Sequence, residues 1–311
     1  MIDLIGDVHG YAEELEELLQ KLGYTKNDTH YSHPDSNRKA LFVGDYIDRG
    51  AKVRETLEIV KNMADNGSAI ALLGNHEYNA LCFHTQDAEG NYLRKHSKKN
   101  IDQHAKTIAA FENREEEFEM YLEWFKTLPL FYETDKFRAV HACWDYKSIE
   151  YLKNHLDNNR LTDELLHASV IKNTPLYDAI ENTLKGKEIP MPGELTFLDT
   201  GGDVRSDLRI KWWEDLSDIN YKDISVQTID ELKNSTEKVS GLKDMDYYKP
   251  EDKPVFFGHY WLKEDTPSLF RDNICCLDYS VADDGHLVAY SFDGESKLNN
   301  NNLKVVKTKS K

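Results

Sequence analysis

MIDLIGDVHG (residues 1–10), KALFVGDYIDRG (39–50) and SAIALLGNHE (68–77) decide the fold, because each is a short apolar run that breaks into a polar loop containing glycine. The runs are Ile2 to Ile5, Lys39 to Val43 and Ser68 to Leu73. After the first two loops, Tyr11 to Leu22 and Val53 to Ala64 carry apolar residues at three- and four-residue spacing, as amphipathic helices do. Strand, loop and helix in repetition predict βαβ units feeding a largely parallel sheet. Loops at the C-terminal ends of such strands gather on one edge, where ligands bind. All three glycine loops fall at those ends.

Outward from this core, residues 98–128 read as charged helix, and the acidic run ENREEEFE (112–119) as a solvated face. A strand pair, Leu130 to Tyr132 and Phe137 to Val140, leads into His141. The stretch 145–250 is polar and predicted mostly helical, with a Gly201–Gly202 turn near its centre and no strand series of its own. It reads as a cap inserted beside the site. PVFFGHYW, NICCLDYSV and HLVAYSF predict strands of a second sheet. The expectation is one domain over 1–298 with this insertion, then a disordered tail, 299–311, rich in Asn and Lys.

With 311 residues the chain can bury a sizeable core. Its net charge of −17 argues against stable nucleic-acid binding and should repel phosphorylated ligands at long range. A site for phosphate must therefore be locally positive. No apolar run is long enough to span a membrane, the first residues do not resemble a secretory signal, and the four cysteines lack disulfide or zinc spacing. A cytoplasmic protein with reduced thiols is expected.

The loops carry chemistry. Asp7 and His9 in GDVHG can converge on one ion, and the Asp45 carboxylate in GDYIDRG can bridge two. Asn75 in GNHE offers an amide oxygen, while His141 (AVHA) and His259 (FFGHYW) close later strands with imidazoles. Mixed N and O ligation without thiolate suits divalent transition metals, with Mn²⁺ the foremost candidate and Fe, Zn²⁺, Co²⁺ and Ni²⁺ as alternatives. Any one loop alone is more often an ordinary turn or a core histidine. Their ordered recurrence after successive strands sets this chain apart.

GDVHG, GDYIDRG, GNHE and the histidines of VHA and FGH resemble the calcineurin-like metallophosphoesterases, in particular the branch of phosphoprotein phosphatases and bacterial diadenosine tetraphosphatases. The resemblance is dense over 1 to about 82 and returns at 138–143 and 253–293. It implies a four-layer α/β sandwich (α+β in some schemes), two mixed sheets flanked by helices. It further implies that Asp7, His9 and Asp45 hold a first metal and that Asp45, Asn75, His141 and His259 hold a second. Many relatives end the last motif as G-H-x-H; here that final position is Trp261, which weakens a nuclease or cyclic-nucleotide phosphodiesterase reading.

Catalytic roles follow from these positions. Arg49 can grip two phosphate oxygens with its planar fork. His76, oriented and kept protonated by Asp48, is the candidate general acid. Arg209 is the preferred second clamp: it pairs with Arg205 on one face if the segment is helical, or with Lys211 if it is a strand. The resemblance offers Tyr279 as a substrate contact, with a core tyrosine carrying a hydrogen-bonded hydroxyl as the favoured reading. His30, His33, His84, His96, His104, His155 and His167 are set aside as surface residues. Trp212 and Trp213 are expected in the core rather than against a base.

The leading expectation is a phosphomonoesterase, similar to protein serine/threonine phosphatases, working by direct attack of a hydroxide bridging two metals on a phosphorylated small molecule, nucleotide or phosphoprotein. A bis(5′-nucleosyl)-tetraphosphatase is the runner-up. An RNA-end phosphatase or phosphodiesterase, and a catalytically silent metal-binding module, are the remaining readings.

Overall fold

The computed structural model describes residues 1–198, 204–226, 228–239, 242 and 245–309. Ile2–Ile5 runs parallel to Lys39–Phe42, which runs parallel to Ala69–Ala71. These strands are buried on both faces, which is why they read as continuous apolar runs rather than alternating ones. Ala12–Lys21 and Val53–Asp65 form the expected helices and turn their leucines, isoleucine and valines inward. The second sheet places Val255–Phe257 between Arg138–Val140 and Ile274–Cys276, all parallel, with Phe131–Glu133 antiparallel on the Arg138–Val140 edge. The result is the expected α/β architecture of two mixed sheets with helices outside them.

Three expectations need correction. HLVAYSF, His286–Phe292, belongs to the first sheet, not the second: it lies antiparallel to Ile2–Ile5, pairing Ile5 with Ala289. The tail is not disordered throughout: Leu303–Lys307 pairs antiparallel with the His286–Phe292 strand, and Val306 is buried. Alternating Leu303, Val305 and Lys307 was the signal that the asparagine run masked. The cap is mostly helical as far as Lys185, through Tyr146–His155, Asp163–Ser169 and Pro175–Lys185, and beyond it the described residues have only short turns of helix such as Tyr221–Ile224. Past Gly186, at φ +83°, short strands take over: Glu188–Pro190 pairs with Asp207–Arg209, and Phe197–Leu198 with Val204–Arg205. Pro190, Pro192 and Gly193 break a helix there. This part gathers its own small core around Leu208, Ile210, Ile224 and Leu232. The Gly201–Gly202 turn lies outside the described residues. No helix among the described residues is long and apolar enough to cross a membrane.

Both sheets deliver their strand ends to one edge. Asp7, Asp45 and Asn75 follow the first three strands, and His141 and His259 follow two strands of the second sheet.

Candidate functional site

The site loops are held in conformations that side chains rarely adopt. Among the described residues twelve non-glycine residues have positive φ, and His9, Asp45, Asp48, Arg49, His259 and Trp261 are six of them. Such backbones cost about 1–3 kcal/mol each and persist where the surroundings enforce them. Gly44, at φ +115°, allows the close approach of the second loop to the third, since a Cβ there would stand 2.6 Å from Gly74 Cα. A Cβ at Gly258 would stand 1.9 Å from Asp7 Oδ1, so glycine is what lets the His259 loop reach Asp7.

Glu77 enforces the second loop. Its carboxylate accepts backbone N–H groups from Asp45 (2.9 Å), Tyr46 (2.8 Å), Ile47 (3.3 Å) and Gly74 (3.1 Å). Burial, with the Asp45 charge, pushes its pKa up to about 7. Glu77→Ala would strand these buried donors, at a cost of about 3–5 kcal/mol. The expected outcome is a lower denaturant midpoint together with roughly 10–100-fold weaker metal binding, measured by urea titration and calorimetry.

The side chains of His9, Asp45, Asn75, His141 and His259 lie together, and Asp7 Oδ2 accepts the His259 backbone N–H at 2.9 Å. Asp45 lies centrally, with Oδ2 3.5 Å from His9 Nε2 and Oδ1 3.4 Å from His141 Nε2. Asn75 Oδ1 is 2.9 Å from His141 Nε2 and 2.7 Å from His259 Nδ1. His9 Nδ1 sits 3.0 Å from Ile47 O and His141 Nδ1 3.0 Å from Val43 O, which fixes both tautomers with the proton on Nδ1. Each Nε2 then turns toward a carboxylate oxygen, where either a metal ion or a ring proton would sit. Asp7 Oδ1, His9 Nε2 and His259 Nε2 are buried with no hydrogen-bond partner. Groups buried this way are normally paired, so Asp7 Oδ1 and His9 Nε2 fit metal ligands, whereas His259 meets Asn75 through Nδ1 and would ligate through that nitrogen.

Electrostatics agree. Burial, reinforced by Asp278 and Asp45, pushes the Asp7 carboxyl well above the usual range. Burial would do the same to Asp45, but the neighbouring His141 and His76 hold it well below. Burial lowers His9 to about 4, and burial with Arg209 nearby holds His259 well down. Four buried acids, Asp7, Asp45, Glu77 and Asp278, crowd one point of the fold. Two overlapping ligand groups emerge there: His9, Asp45 and His76, and Asp45, His141 and His259.

His76 stands beside them, its Nδ1 2.5 Å from Asp48 Oδ2. Burial would lower its pKa, but the Asp45 charge and the Asp48 hydrogen bond raise it. His104 corrects the expectation of a surface residue. It is buried with Nδ1 2.8 Å from Asp48 Oδ1, and Thr107 Oγ1 donates to that same oxygen at 2.6 Å. Arg49 lies over the Trp261 ring, 5.1 Å from its centroid, so the residue replacing the final histidine supports the guanidinium.

Arg205 and Arg209 both line the cleft and both reach Glu188, at 2.8 and 3.3 Å. They do so from two short strands, Val204–Arg205 and Asp207–Arg209, with Leu208 facing the core, and Glu188 rather than a shared helix face brings the arginines together. Tyr279 is not in the cleft. Its hydroxyl donates to Ser268 O (2.8 Å) and accepts from Ser268 N (2.9 Å), as a core tyrosine does. Trp212 and Trp213 pack on Phe257 in the core as expected. Asp278 went unread; it receives the Trp261 and Ser280 N–H groups and buttresses the His259 loop.

Histidine, carboxylate and amide donors meeting where two sheets end define a candidate dinuclear metal centre on a layered α/β scaffold. The chain belongs to the calcineurin-like phosphoesterase family, whose model matches residues 1–269. Among curated relatives, the asymmetrical bis(5′-nucleosyl)-tetraphosphatase PrpE of Oceanobacillus iheyensis is 47% identical over 75 residues, 24% of this chain and 30% of that protein. The chain thus matches under a third of that relative's length. The symmetrical bis(5′-nucleosyl)-tetraphosphatase of a Marinomonas species is 23% identical over 95% of this chain and 94% of its own. Similar solved structures include a protein serine/threonine phosphatase from Saccharomyces cerevisiae (TM-score 0.48, 12% identity, 99% of this chain and 79% of that one).

Proposed function

We propose that the chain is a metal-dependent phosphoric ester hydrolase. In this reading Asp7, His9 and Asp45 hold one divalent transition-metal ion, and Asp45, Asn75, His141 and His259 hold a second. The observation that carries it is the meeting of Asp45 with His9 and His141 and of Asn75 with His141 and His259, in overlapping groups able to hold a metal ion. A bound cation pair supplies Lewis acidity toward phosphate oxygens and makes water acidic enough to react near neutral pH. The chain's own residues orient and protonate. Arg49 grips the phosphate, backed by Trp261, with Arg209 and Arg205 on the facing wall. His76 gives its Nε2 proton to the departing oxygen while Asp48 fixes the ring.

Phosphomonoesters, including phosphoproteins, are one substrate class for such a site. A dinucleoside polyphosphate is favoured by the cleft itself, about 1160 Å³ and lined by Arg49, Arg94, Lys185, Arg205 and Arg209 well beyond the space one phosphate fills. The names of the tetraphosphatase relatives support the same choice. Turnover of p-nitrophenyl phosphate, a phosphopeptide and diadenosine tetraphosphate, compared side by side with Mn²⁺, tests this. Hydrolysis is expected, fastest on the tetraphosphate; no turnover of any of them with Mn²⁺, Fe²⁺, Co²⁺, Ni²⁺ or Zn²⁺ would refute it.

A further inference from the structure

Beyond the metal centre, the cleft has a wall built by the segment between the Asn75–His84 and Lys98–Ala110 helices. On that wall Arg94 is half-buried; it donates from Nη1 to Asn79 Oδ1 at 3.0 Å and from Nη2 to Gln103 Oε1 at 2.9 Å. Both acceptors are neutral, and all three side chains line the cleft. The nearby acid, Glu181, is already held by Lys185 at 2.5 Å. Among the described residues Arg94 therefore has no carboxylate partner, although withdrawing a guanidinium from water without a counter-charge is costly. Desolvation lowers its pKa accordingly. Asn79 and Gln103 fix the fork in place but carry no charge, and Glu181 and Asp48 offset its charge only from beyond ion-pair distance.

The position of the fork is set by the helix. Asn79 lies four residues after Asn75, on the same face and about 6 Å further along the axis. The Arg94 guanidinium thus stands near one helical turn from the metal centre, a span that a few linked phosphates cover. Arg49, Arg205 and Arg209 line the same cleft, so a single phosphate at the centre has other arginines to draw on and leaves Arg94 without an anion.

We propose that Arg94 is a second anion-binding station, holding one phosphate of a linear phosphoanhydride chain while a neighbouring phosphate of the same chain lies at the metal centre. The proposal rests on the metal-centre reading above and adds to it the residue that selects a chain of phosphates over a single one. Asn79 and Gln103 act as positioning residues for the fork.

Calorimetric titration of the full chain, with Mn²⁺ kept in excess, measures Kd for inorganic tripolyphosphate and for orthophosphate. Wild-type protein is expected to prefer tripolyphosphate. Arg94→Gln should weaken tripolyphosphate binding by about tenfold or more and orthophosphate by a smaller factor, so that the preference collapses. Arg94→Lys should restore part of it, and melting temperatures identify any variant that fails to fold. No preference in the wild type, equal weakening of both ligands, or unchanged tripolyphosphate binding overturns the proposal. If the wild type binds no Mn²⁺, the metal-centre reading fails instead. Tripolyphosphate is then titrated against the metal-free chain, where Arg94→Gln must still cost about tenfold.

Discussion

Replacing His76 with asparagine should slow hydrolysis of an alkyl phosphate by about 10²–10⁴-fold, the range that a positioned general acid contributes. On p-nitrophenyl phosphate, whose leaving group needs no proton, the loss should be far smaller. The geometry behind this is a ring that cannot turn. His76 Nδ1 is 2.5 Å from Asp48 Oδ2, and Asp48 is itself locked by His104 and Thr107, with its own backbone N–H donating to Thr107 Oγ1 at 3.0 Å. Burial would raise the Asp48 pKa, but hydrogen bonds from His104 and His76 hold it well below the usual carboxylate range. A charged Asp48 keeps Nδ1 protonated and leaves Nε2 for the substrate. Equal losses on the alkyl and aryl substrates, read from kcat at saturating metal, would give His76 some other task.

Asp45→Asn is expected to lower kcat by on the order of 10³-fold, about 4 kcal/mol of transition-state stabilisation. The amide keeps the shape of the carboxylate but removes the charge that faces His9, His141 and His76 at 3.5, 3.4 and 3.9 Å. One amide oxygen cannot serve two cations as a carboxylate does, so metal affinity should fall with turnover. Because Glu77 holds the loop by its backbone, the fold should survive. Circular dichroism and steady-state kinetics on the same preparation check both halves, and undiminished turnover would contradict the assignment.

Much of this centre was legible because strand ends and glycine loops are local features. Runs such as LFVGD state a buried strand, its end and a turn within a few residues, so Asp7, Asp45, Asn75, His141 and His259 could each be put at a strand end, and their recurrence there read as one site. Residues set by tertiary packing were not legible. In the Lys98–Ala110 helix, Ile101 and Ile108 are exposed while His104 and Thr107 are buried, the reverse of what hydrophobic periodicity suggests. Nothing local marks His104 as the partner of a residue 56 positions away. For Arg205 and Arg209 charge left helix and strand both open, and a break at Gly186 and two prolines decides for strand there. Tyr279, offered by the resemblance as a substrate contact but favoured as a core residue, stays out of the cleft because Ser268 satisfies its hydroxyl.

The most direct test counts ions. Elemental analysis of protein loaded with Mn²⁺ and then desalted should return about two ions per chain, the number that assists in-line phosphoryl transfer in dinuclear sites. It should return fewer for Asp45→Asn. A wild-type chain that retains no transition metal under these conditions, or an Asp45→Asn chain that retains the full complement, would contradict the account.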